Sequence, residues 1–250
     1  MRLENSMISI ERRTAKMNKG LPPLMNGDHL DQKTFHERYE AMPEVRAELI
    51  GGIVYMASPQ KSRHGYHHLK LDQLVGEYQD ESPGTEAYAN TTNILGPDAE
   101  PQPDTCLLIL PECGGQTEVN ELGYVTGAPE WVGEISDSTE SIDLNRKKLD
   151  YEKAGVREYM VAAVHTQQVF WFIRRRGKFK PLTADADRII RSEIFPGFWL
   201  DAKAFLNRDN ASPISCRDPL QSINPARSLA AGYGAVERNR TPHSIASNRR

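Results

Sequence analysis

The alternation of two helix-patterned segments with short apolar runs is the feature that most limits what this chain can fold into. From His64 to Tyr78, the residues Leu71, Leu74, Val75 and Tyr78 recur at helical spacing, while Lys70, Asp72, Gln73 and Glu77 take the opposite face. From Leu144 to Ala154, the residues Leu144, Lys147, Lys148, Tyr151 and Glu152 fall three or four apart, with Ser138 or Thr139 placed to cap the start and Gly155 to end the helix. Between and around these lie strand candidates. Glu48 to Met56 carries Gly51-Gly52 and suits a tight hairpin, Glu86 to Leu95 reads as a strand, and Thr105 to Leu110 is strongly apolar. Ala128 to Ile135, Glu158 to Val164 and Gln168 to Ile173 follow, the last joined through Arg174 to Gly177 to Lys178–Leu182. A short entry helix, Thr34 to Glu40 with Thr34 as its cap, precedes them all. Helices alternating with strands predict a three-layer α/β domain with a central mixed β-sheet flanked by helices. Several connections are too short for helical crossovers, which argues against a purely parallel sheet.

Pattern also sets the expected boundaries. Gly20 to Gly27, with Pro22 and Pro23, interrupts regular structure, and the chain from Ser212 is rich in Ser, Asn, Pro and Arg. A folded domain at 31–207 is expected, with a flexible N-terminal extension at 1–30 and a flexible basic tail at 208–250, in which Leu229 to Tyr233 could dock. The whole chain carries a formal charge of −3; with +2 on residues 1–30 and +4 on 208–250, about −9 is left for the middle. That acidity argues against a broad nonspecific DNA-binding surface and leaves phosphate contacts to a local cleft or the tails. Cys106, Cys113 and Cys216 form neither a disulfide framework nor a CxxC zinc pair. No run of eighteen apolar residues suggests a membrane span, so a cytoplasmic location is the expectation.

Two acids stand at strand ends: Asp104, after Pro103, opens the Cys106 to Leu110 run, and Glu134 closes the Trp131 to Ile135 run. Carboxylates meeting at one sheet edge could hold a hard divalent cation such as magnesium; equally, each could cap a loop or stay solvated. Lys147, one turn before Tyr151 and one after Asp143, could turn its ammonium toward those acids to orient a water and offset charge on a phosphate, or form a surface pair with Asp143.

The order of short motifs resembles the Uma-two family of restriction endonuclease-like proteins, within the PD-(D/E)XK superfamily. The resemblance runs from about Phe35 to Leu206 and rests on Glu48-Leu49-Ile50-Gly51-Gly52-Ile53-Val54, Ser58-Pro59 leading to His64, Gln102-Pro103-Asp104, Trp131-Val132-Gly133-Glu134-Ile135-Ser136, and Ser138-Thr139. Asp143, Lys147 and Tyr151, then Ala154-Gly155-Val156-Arg157-Glu158-Tyr159 and Phe195-Pro196-Gly197-Phe198, continue the match. Gly133 stands where a branched residue is common and Asp137 where a proline is usual. The resemblance implies a restriction endonuclease-like fold and a metal-dependent endonuclease acting on DNA, with Mg²⁺ or Mn²⁺ as cofactor. It places Asp104, Glu134 and Lys147 in the catalytic roles, with Glu48 joining Asp104 and Glu134 around the metal and His64, Gln102 and Tyr151 in support. A chain with one such site is expected to pair as a homodimer for a double-strand break. The competing expectation is a noncatalytic nucleic-acid-binding or assembly protein on the same fold. A carbohydrate enzyme using Glu48, Asp104 and Glu134 is weaker, because that chemistry gives Lys147 no part.

Overall fold

The computed structural model describes residues 20–207. The expected tail at 208–250, with Leu229 to Tyr233, and the first nineteen residues lie outside them. The chain opens with α1 (Gln32–Glu40), capped by Asp31 instead of Thr34: the Asp31 carboxylate accepts the Thr34 N–H at 2.8 Å, which places Thr34 inside the first turn. Next comes a hairpin of β1 (Ala47–Ile50) and β2 (Ile53–Met56). Gly51 and Gly52 both have positive φ, 57° and 75°, the requirement of the tight two-residue turn that the glycine pair predicts.

The main helix, α2 (Ser62–Glu81), packs on the central sheet through Leu71, Leu74 and Val75, all fully buried. Six strands make that sheet, in the order β11 (Lys178–Pro181), β10 (Gln168–Arg175), β9 (Glu158–Ala163), β8 (Trp131–Ser136), β5 (Thr105–Ile109) and β3 (Thr85–Ala89). Only β8 and β9 run parallel, so the sheet is mixed, and the link between them carries a π-helical turn (Ile142–Lys147) continuing into α3 (Lys148–Ala154). Alternation along the strands divides the core. Trp131, Ile135, Leu107, Ile109 and Met160 meet α2 on one face, whereas Val132, Cys106, Leu108, Tyr159 and Val161 gather with Tyr151 of α3 on the other. The expected three layers are therefore present.

Two local expectations need correction. The Glu86 to Leu95 run is not one strand: it breaks at Asn90, whose φ of 51° is a conformation asparagine tolerates, and whose N–H is bound by the Asp104 carbonyl. Its second half becomes β4 (Asn93–Ile94), in a separate small sheet with β7 (Val125–Thr126) and β6 (Glu118–Val119). The start of the domain also lies earlier than Asp31. Leu24 is buried with Phe35, Leu49 and Val54, and the backbone N–H groups of Gly27 and Leu30 bond to Val54 and Gly52 of the hairpin. Past β11, a pair not foreseen from periodicity, β12 (Ile189–Arg191) and β13 (Trp199–Asp201), leads into α4 (Ala202–Leu206), whose Phe205 closes the α2 side of the core.

Gly133 has a steric reason. A Cβ there would lie 2.9 Å from one atom of the Trp131 ring and 3.0 Å from Leu71 of α2, so the indole fills the space a branched side chain would use. We expect Gly133→Val to lower unfolding free energy by about 1–3 kcal/mol through overpacking, read from urea denaturation. An unchanged midpoint would mean that the indole can move aside.

Candidate functional site

The register of β5 against β8 builds the site. Thr105 pairs with Gly133 in an antiparallel ladder, so Asp104 falls opposite Glu134 on the face that α3 covers. The link is direct: Asp104 Oδ2 accepts the Ile135 N–H at 2.7 Å. Glu48 reaches in from β1, its Oε1 accepting the Gln102 N–H at 2.7 Å, while the Gln102 side chain donates to the Tyr39 hydroxyl at 2.6 Å. Gln102 thus fixes Glu48 through its backbone.

Lys147 ends the π-helical turn, a wider turn of the kind often found at functional positions. Its buried Nζ lies 2.8 Å from Glu48 Oε1, 3.2 Å from Glu134 Oε1 and 4.0 Å from Asp143 Oδ1. Tyr151, one turn on, donates its hydroxyl to the same Glu134 oxygen at 2.9 Å. Glu48, His64, Gln102, Asp104, Glu134 and Lys147 all line a single cavity of about 370 Å³. Tyr151 does not; it sits fully buried beneath Glu134. The structure therefore brings together every residue singled out in the sequence, six at the cavity wall and one behind it.

Charge is the dominant property of the place. Burial raises the Glu134 carboxyl well above its ordinary range; Lys147 opposes this, and Asp104, Asp143 and Glu48 add to it. Burial alone would lower the Lys147 ammonium, but Glu134, Glu48 and Asp143 outweigh burial and hold it well above its usual value. Asp104 moves the other way: burial would raise it, yet His64 and His68 keep it below the usual carboxylate value. Burial likewise works against a charged His68, while Asp72 and Asp104 more than compensate and bring it up to about 9.

Three more residues stand at or near the wall: Asp143, which the sequence offered only as a neighbour of Lys147, and His68 and Asp137, to which it gave no part in the site. Asp143 accepts a bond from the Thr139 hydroxyl at 2.6 Å and faces Lys147; His68 lies 2.8 Å from the Asp104 carbonyl; Asp137 pairs with Arg63 at 3.0 Å. Asp143 and His68 stand four residues from Lys147 and His64, a spacing that signals a shared helical face without saying what the face meets. Asp137 depends on how the chain turns after β8, for which the sequence has no signal.

The donor set fits a hard divalent cation. Four carboxylates, Glu48, Asp104, Glu134 and Asp143, gather around one lysine; burial first, and the neighbouring carboxylates after it, raise Glu134, and a cation among them would offset that repulsion. Oxygen ligands from Asp104, Glu134 and Glu48 suit magnesium or manganese.

Comparison with known proteins bears on the family and the fold. The family model Uma2, described as "Putative restriction endonuclease", matches residues 34–203. Among solved structures, the chain is similar to "a putative nuclease belonging to DUF820 from Anabaena variabilis ATCC 29413", at 17% identity and a TM-score of 0.51, covering 66% of this chain and 93% of that one. No protein with a curated description matches. Among the described residues no helix is long and apolar enough to cross a membrane. Since the family match spans well over half of the sequence and the sheet carries the fold of that nuclease, the chain belongs to the Uma2 family, described as putative restriction endonucleases.

Proposed function

We propose that this protein is a magnesium- or manganese-dependent endonuclease that hydrolyses phosphodiester bonds in DNA, with Asp104, Glu134 and Glu48 holding the metal and Lys147 working on the reacting water and phosphate. The observation that carries this reading is the convergence of those four side chains on one cavity at the edge of β5 and β8. A bound divalent ion supplies a more acidic water and offsets charge on the scissile phosphate. The chain's own groups do the rest. The Lys147 ammonium, held charged by three carboxylates, can orient the attacking water and stabilise the negative charge that grows on phosphate oxygens. Tyr151 and Gln102 fix the carboxylates of Glu134 and Glu48. Exposed Arg46 and Lys61 on the cavity wall offer cations to the flanking phosphates, which supplies the local basic contact that the acidic middle of the chain otherwise lacks.

Supercoiled plasmid tests the proposal, with single-stranded DNA and RNA in parallel lanes. Cleavage is expected with Mg²⁺ or Mn²⁺ and none with a chelator. Nicked circles would indicate one site acting alone; linear product formed directly would indicate two copies acting as a dimer. Binding of DNA without cleavage under any of these conditions would favour the noncatalytic reading. Cleavage confined to RNA would change the substrate class.

A further inference from the structure

We infer that a second metal site, of mixed nitrogen and oxygen character, lies beside the carboxylate cluster: His64, His68 and Asp104 are arranged to bind a borderline divalent cation of the zinc class. This goes beyond the endonuclease reading, with which it shares only Asp104. The two histidines stand four apart on the first half of α2, on the face turned to the start of β5, and their rings meet edge to face with centroids 5.7 Å apart. One ligand atom from each of His64, His68 and Asp104 lies within 4.8 Å of the others. His64 Nε2 is buried and pairs with Asp104 Oδ1 at 3.3 Å, without a well-directed hydrogen bond among the described residues. A buried ring nitrogen left unsatisfied is costly unless something else takes its lone pair. His68 Nε2 lies 2.8 Å from the Asp104 carbonyl and 3.4 Å from Asp72 Oδ2, whose other oxygen accepts the Thr105 hydroxyl at 2.6 Å.

Ligand atoms on a tetrahedral zinc ion at about 2.0–2.1 Å are about 3.4 Å apart, so closing on an ion needs shifts on the order of an ångström in side chains at the cavity wall. Chemistry chooses the metal. Magnesium strongly prefers oxygen ligands and gains little from imidazole, whereas zinc, cobalt and nickel favour it. The Glu48, Glu134 and Asp143 side is all oxygen and the His64, His68 side supplies nitrogen, so Asp104 stands at the border of two sites with different preferences.

Cobalt(II) serves as the probe, because its visible absorption reports coordination directly and needs no activity. Full-length protein freed of metal by chelation should give a visible Co²⁺ spectrum of four- or five-coordinate intensity, removed by one equivalent of Zn²⁺ and insensitive to a large excess of Mg²⁺. His64→Ala, at the cavity wall, should weaken Co²⁺ binding at least about tenfold, because loss of a ligand costs no less than loss of a group that merely orients one. His68→Ala should do the same, with circular dichroism checking its fold. The inference is overturned if the wild-type protein gives no such spectrum, if Mg²⁺ displaces Co²⁺, or if the spectrum survives His64→Ala intact. None of these outcomes depends on cleavage, so the endonuclease proposal stands or falls separately.

Discussion

Glu134→Gln is expected to cut metal-dependent DNA cleavage by a factor on the order of 10²–10³, the scale of losing one well-placed electrostatic group, while leaving the metal-free protein as stable as the wild type or more so. The two halves have one cause. Glu134 is buried among three other carboxylates, and its pKa is displaced upward. For an acid whose folded value is raised, the folded state binds more protons than the unfolded one between the two values. Stability is then present below the ordinary carboxylate range and is lost as pH rises toward the raised value. An amide of the same shape removes that loss, can still accept the Tyr151 hydroxyl, and leaves Lys147 paired with Glu48 and Asp143. The variant should therefore gain on the wild type at neutral pH and converge with it below the carboxylate range, in thermal melts taken across pH. Full cleavage by Glu134→Gln would remove this residue from the metal site. A steep loss of stability at neutral pH would show that the carboxylate is a structural anchor.

How much of this was readable beforehand follows from what sequence patterns encode. Leu71, Leu74 and Val75 announce a buried helical face because burial repeats with the helix, and Gly51-Gly52 announces a turn because few other pairs accept two positive φ angles. The pairing of Asp104 with Glu134 is set by strand register, which no local pattern carries; their strand-end positions left a meeting at one sheet edge open beside solvated alternatives, and the ordered resemblance to a family favoured it. Short pieces shaped by distant partners were invisible, among them β12, β13 and the docking of Leu24. The acidic balance of the middle also misleads if taken as surface charge. Glu100, Glu130 and Glu158 are each 0% exposed. Glu100 is held by Gln32 and His36, Glu130 accepts the Ile109 and Gln116 N–H groups, and Glu158 accepts Trp171 and the Glu193 and Ile194 N–H groups. Such acids anchor loops from inside, as buried polar groups must when they have partners, and they leave the cavity rim free to be more basic than the total suggests.

Lys147→Met separates structural from chemical roles most sharply. In the metal-free protein its ammonium is the neutralising contact for Glu48 and Glu134 and stands near Asp143, all within 4.0 Å. Removing one side of a buried ion pair costs about 3–5 kcal/mol, because the partner charges remain buried without compensation. Methionine fills much of the same volume, so the loss reports charge more than a cavity. Glu134 and Asp143, already raised, should then titrate higher still, giving the variant a stability that improves as pH falls from neutral toward the ordinary carboxylate range. If Asp104, Glu134 and Glu48 bind a divalent ion as proposed, Mg²⁺ or Mn²⁺ should restore part of the lost stability in this variant and raise its melting temperature more than that of the wild type, since binding to the folded state alone stabilises it by mass action. Cleavage should nevertheless stay low, because the water and the phosphate still lack their ammonium. A variant destabilised but not rescued by either ion would argue that Lys147 holds the acids together for folding alone, and rescue of both stability and cleavage would show that the ion, without the amine, suffices for the chemistry.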